Sequence, residues 1–225
     1  MSRLFASEAV NSFLLVYAAL FSIVNPLGGA PVFLSLTRRF STKVRHALAG
    51  RVALNGFLLL LGSLFVGSHV LEFFGLTLPV VRVAGGLVVT AAGWTLLNQE
   101  ADAEDDRSSK TVGDRRSAPD AFYPLTLPIT VGPGSITVAI TLGSQRPQAA
   151  NGISDLALTA AGAVAGILAI AVTIYVCYRF AEHLERVLGK AGTNVLLRLS
   201  AFILLCIGIQ ICWAGVSALL GSLHA

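Results

Sequence analysis

Asn25, Pro26, Gly28, Gly29 and Pro31 fall together in one apolar segment, and Pro128, Thr130, Gly132, Pro133, Gly134 and Ser135 fall together in another. Proline lacks an N–H and clashes with the preceding turn, so Pro26 frees carbonyls near Ser22 and Ile23, while Gly28 and Gly29 permit a backbone turn that other residues resist. The half-helix expected to resume around Pro31 presents free N–H groups and the positive end of its dipole, an arrangement that suits an anion such as a substrate carboxylate. Gly134 and Ser135 can do the same from the second cluster, with the Ser135 hydroxyl as a helix cap. Two opposed half-helix ends make one central site. The simpler alternative is a pair of kinks held by neighbouring helices and by the Ser22, Thr126 or Thr130 hydroxyls. Recurrence of the break in two matching places favours a site or a gate.

Few other polar groups share these apolar runs. Arg82 and Arg198 sit a few residues inside two of them, where a charge is costly and either snorkels, bonds to broken-helix carbonyls, or faces inward to hold a carboxylate bidentately. Asn55 and Gln210 are uncharged and suit bonds across helices, with Asn55 also placed to line a path. His69 and Glu72, three residues apart, form either an interfacial salt bridge or a proton-linked pair.

The elements that must hold these groups follow from composition. Apolar residues make up 55% of the chain and charged residues 12%, against about a quarter charged in soluble domains. Six apolar stretches, 12–36, 48–71, 76–97, 122–142, 156–178 and 195–220, each reach about the 20 residues that a helix needs to cross a bilayer. None divides into short alternating strands, which argues against a β-barrel. The expectation is an all-α membrane protein of six transmembrane helices, with helices 1 and 4 broken by Gly/Pro motifs. The first stretch is too long for a signal peptide and is expected to remain in the mature protein. Cys177, Cys206 and Cys212 have no metal-ligand spacing and read as buried packing residues.

All of the 16 basic residues except Arg3, Arg82 and Arg146 fall in the intervals after the first, third and fifth stretches or just inside the second and last. By the positive-inside rule these intervals are cytoplasmic and both termini face outward. The net charge of +4 therefore describes topology, and a nucleic-acid partner is not implied. The polar interval 98–120 divides three helices from three. Because three is odd, repeat 1 (about 1–97) and repeat 2 (about 121–225) enter the membrane in opposite orientations, the geometry of an inverted-topology repeat in a single membrane domain. Pro26 then corresponds to Pro133, and Arg82 to Arg198.

The runs Asn25-Pro26-Leu27-Gly28-Gly29-Ala30-Pro31, Pro128-Ile129-Thr130-Val131-Gly132-Pro133-Gly134 and Arg82-Val83-Ala84-Gly85-Gly86, in this order within six spans, resemble the MarC family of bacterial membrane proteins. The resemblance covers almost the whole chain apart from the central interval. It implies a multi-pass protein of the bacterial inner membrane, in a family named after an antibiotic-resistance locus and grouped by similarity with LysE-type exporters. Gly29-Ala30 and Ile129-Thr130-Val131 depart from the family's common pattern at the two breaks.

Neither a protease motif nor a phosphate-cradling loop is present, so the expectation is no enzyme, no cofactor and no metal. Three functions compete. The first is a secondary transporter or exporter of a small polar, even anionic, solute. The second is a passive channel with the same lining. The third is a non-transporting accessory or regulatory membrane protein. Lipid and an unknown small solute are the expected partners. The small-residue face of Gly162 and Gly166 suits internal packing and a homo-oligomer equally well.

Overall fold

The computed structural model describes residues 2–98, 120–144 and 153–223, and among these it is all-helical. The chain runs through α1 (Ser2–Val24), α2 (Pro26–Thr37), α3 (Thr42–Phe73), α4 (Leu78–Leu97), a short π-helical α5 (Leu125–Thr130), α6 (Pro133–Ser144), α7 (Ile153–Arg179) and α8 (Ala181–Leu223). Most of the interval 98–120, read above as a linker, lies outside the described residues.

Four of these helices are long and apolar enough to cross a membrane: Thr42–Phe73, Leu78–Leu97, Leu156–Arg179 and Ala191–Ser222. Glu8–Val24 with Pro26–Thr37 makes a fifth candidate, bent by 41° at Asn25. The fourth apolar stretch is divided at Val131 and Gly132 into α5 and α6, and neither piece alone reaches spanning length. Leu54, Leu58, Leu87, Val172, Phe202 and Trp213 are exposed on the long helices. Apolar surface on that scale, turned outward, suits a hydrocarbon surround rather than water.

The interior is built from apolar residues of α1, α3 and α7, including Leu20, Val52, Leu60, Ile167, Ile170 and Ile174. Gly162 and Gly166 let α7 lie close against α1, where an added Cβ would meet Ala9 and Val16. That face serves internal packing. The second tight interface joins α4 to α8. A Cβ on Gly86 would lie 2.5 Å from the Cys212 amide nitrogen, and one on Gly93 would lie 2.6 Å from that of Leu205, so the two backbones touch without side chains between them.

At the end of the bundle that carries Arg38, Lys43 and Arg179, two ion pairs join the α2–α3 corner to the start of α8. Arg38 pairs with Glu185, and Arg45, only 5% exposed, pairs with Glu182. Beyond them α8 turns at Gly189, whose φ of 65° suits a residue without Cβ. At the opposite end the expected salt bridge does not form. His69 reaches the Ser68 hydroxyl instead, and Glu72 has no ion-pair partner among the described residues. Both side chains are exposed, where pairing gains little over solvation. Cys206 is also exposed and so departs from the expected buried role, whereas Cys177 and Cys212 are half-buried.

Candidate functional site

Both breaks open on one cavity of about 520 Å³, within the roughly 300–1,000 Å³ of small-ligand sites. Asn25, Gly28 and Gly29 line it from the first break, and Pro128, Thr130, Gly132, Pro133, Gly134 and Ser135 from the second. The far half of α4, from Val88 to Leu96, and the near half of α8, including Arg198 and Ser200, close the remaining walls. Pro26, Pro31, Asn55 and Arg82 are not part of the lining.

The first break is sharper than the sequence suggests. Asn25 adopts the left-handed conformation (φ 46°, ψ 61°), the one non-glycine residue with positive φ among the described residues. Asparagine tolerates this region better than branched or bulky residues do. Its Oδ1 accepts the Gly28 N–H at 3.2 Å, and its carbonyl accepts the Gly29 N–H at 2.9 Å. Helix α2 therefore resumes at Pro26, not around Pro31, which lies inside α2. Proline at a helix's first position loses nothing, because that N–H has no helical partner anyway. The Gly28 and Gly29 amides at this break are consequently held by Asn25 itself.

Asn25→Ala is expected to cost about 2 kcal/mol, from about 1 kcal/mol for the lost cap and about 1 kcal/mol for a methyl-bearing residue in the left-handed region. Asn25→Gly should cost about a few tenths of a kcal/mol. Unfolding midpoints of the two purified variants check the order.

The second break is built differently. The Thr126 and Thr130 hydroxyls donate to carbonyls five residues back, at Ala121 (2.6 Å) and Leu125 (2.7 Å), and so support the wide turn of α5. Val131 is extended, and α6 starts at Pro133. Ser135 does not cap. Its hydroxyl donates to the Gly132 carbonyl at 2.8 Å, because it lies within the first turn and not ahead of it. The Ile136 amide donates to that same carbonyl at 3.2 Å. The amides ahead of it, at Gly134 and Ser135, belong to the set that a helix N-terminus leaves without internal partners.

Tyr178 on α7 joins the two breaks, and nothing in the sequence marks it. Its spacing is that of any core aromatic. The ring is 1% exposed, stacks on Phe33 of α2 at 4.5 Å, and its hydroxyl bonds the Thr130 hydroxyl at 2.8 Å. A Cβ on Gly29 would lie 2.6 Å from that oxygen, so glycine is required at the approach. Asn55 lies behind the site and donates to the Thr126 hydroxyl at 3.5 Å, a bond across helices. Arg82 bonds the Thr141 hydroxyl of α6 at 3.4 Å rather than a broken-helix carbonyl. Arg198 is exposed, lines the cavity, and has no hydrogen bond or ion pair among the described residues.

Apolar outer faces, helices of spanning length and a partly polar cavity between interrupted helices define an integral membrane protein with room for a small molecule inside it. The chain matches the MarC family integral membrane proteins over residues 10–220 and belongs to that family. It is 30% identical over 209 residues to the inner membrane protein MarC of Salmonella arizonae, covering 91% of this chain and 94% of that one. The same identity and coverage hold for the inner membrane proteins MarC of Salmonella typhimurium and of Escherichia coli strain UTI89. No solved structure matches the chain.

Proposed function

We propose that the protein is a secondary transporter or exporter of a small polar solute across the bacterial inner membrane, with the cavity between the two breaks as its central site. The observation that carries this reading is the convergence of both breaks on one cavity. Kinks that served only packing would have no reason to share a space of ligand size. The inner-membrane location rests on the relatives' printed names.

The six-span inverted repeat is part of the same proposal. Its support lies in the packing: the broken span α1–α2 packs on α7 as the broken span α5–α6 packs on α3, the first meets α8 as the second meets α4, and α4 with α8 and α3 with α7 pair across the proposed axis. Exchange of the halves, 1–97 and 121–225, maps this set of contacts onto itself. Outward-facing termini follow from the basic residues, and the Arg38–Glu185 and Arg45–Glu182 pairs support a shared end for two of the basic intervals. The cavity lies in that basic half of the bundle and so faces the cytoplasm in this reading.

Counterflow in reconstituted vesicles tests the proposal with a panel of labelled small organic acids, amides and amines. A carrier is accelerated by solute on the far side. Uptake of a panel member without such acceleration would make the cavity a passive pore, and no uptake at all would favour an accessory role.

A further inference from the structure

Arg198 stands about 10 Å along the span Ala191–Ser222 by helical rise, and it is the one charged side chain in the cavity lining. The carboxylates among the described side chains are placed elsewhere. Glu182 and Glu185 are held by Arg45 and Arg38, Asp120 accepts the Phe122 amide, and neither Glu8 nor Glu72 lines the cavity. Arg82, its counterpart in the proposed repeat, bonds Thr141, whereas Arg198 bonds nothing among the described residues. An intramembrane guanidinium with no counter-ion among the described residues draws an anion, and the attraction grows as the dielectric falls.

We propose that the cavity selects an organic monoanion, a carboxylate head on a short apolar body, with Arg198 holding the head. This rests on the transporter reading for its biological use but not for its test. A guanidinium presents paired donors that match the two oxygens of a carboxylate. Asn194, one helical turn before Arg198, and Ser200 add neutral polar groups to the same wall. The other walls include Ile23, Val88, Val89 and Ala92, which suit a few carbons of hydrocarbon and offer no charge to an amine. The head is therefore sorted by charge and the body by shape.

The probes are pentanoate, pentanamide and pentylamine, which share one body and differ in the head. The full chain in nanodiscs of phosphatidylcholine is expected to gain thermal stability with pentanoate and not with the other two. Arg198→Gln should weaken pentanoate binding about tenfold to a hundredfold, as loss of a charged hydrogen-bonding group implies. Arg198→Lys should keep part of it. Because Arg198 bonds no other described residue, both variants should fold normally.

Equal stabilisation by the amide or the amine, retention of the pentanoate effect in Arg198→Gln, or no effect of any probe would overturn the proposal. So would loss of the effect when phosphatidylglycerol is added to the discs, because a lipid headgroup would then be the anion at Arg198. Pentanoate binding of the expected pattern without counterflow of any panel member overturns the transporter reading alone. Counterflow of an amine or amide without pentanoate binding overturns this one alone.

Discussion

Gly134→Ala is expected to cut counterflow about tenfold or more, the size of a loss of about 1.4 kcal/mol. The added Cβ would collide with Cγ2 of Val89 on α4, with Ile23 the next neighbour at 3.8 Å. Val89 is β-branched and its rotamer is nearly fixed in a helix, so it cannot swing aside. Either α4 and α6 separate or Val89 is driven into the cavity that it lines. Overpacking of this kind costs about 1–3 kcal/mol. Val89→Ala removes the colliding methyl groups and, combined with Gly134→Ala, should restore most of the flux. Both variants should elute as folded protein from size exclusion. Unchanged flux in the single variant, or no recovery in the double, would count against this close approach as a determinant of transport.

The largest effect on stability is expected from Gly86→Leu. A Cβ there meets backbone atoms only, the Cys212 nitrogen and Cα and the Gly208 carbonyl, so no side chain can yield. The helices α4 and α8 must part, at a cost of about 3 kcal/mol or more. Gly62→Leu is the natural control, because Gly62 has open space where its Cβ would stand. The measurement is the fraction of detergent-extracted protein that is monodisperse. Gly86→Leu should lose most of it and Gly62→Leu almost none.

How far these features can be read from residues alone depends on whether they break a local rule. Proline and glycine clusters in an apolar run do so, and Arg198 in a span does so too, which is why they can be found without coordinates. Where the first half-helix resumes is harder to read, because Pro26 and Pro31 are each tolerated at a helix start. The Asn25 side chain decides between them by capping Gly28. Tyr178 breaks no rule, and only its contacts with Gly29, Phe33 and Thr130 set it apart. The pairing of His69 with Glu72 obeys the spacing of a helix yet fails, since spacing says nothing about competition with solvent. Gly162 and Gly166 predict a close neighbour without saying which, and the identity of α1 as that neighbour is a property of the whole packing.

The glycine contacts between α4 and α8 carry one more consequence, which is mechanical. Side chains between two helices can change rotamer and let the helices shift, but backbones in direct contact have nothing to repack. These two helices are therefore a stiff spine. Contacts made through side chains, such as the Phe33–Tyr178 stack of α2 on α7 and the approach of Ile174 on α7 to Gly56 on α3, are where relative movement costs least. Any rocking that exposes the cavity first to one side and then to the other would move those paired arms about a keel that stays still.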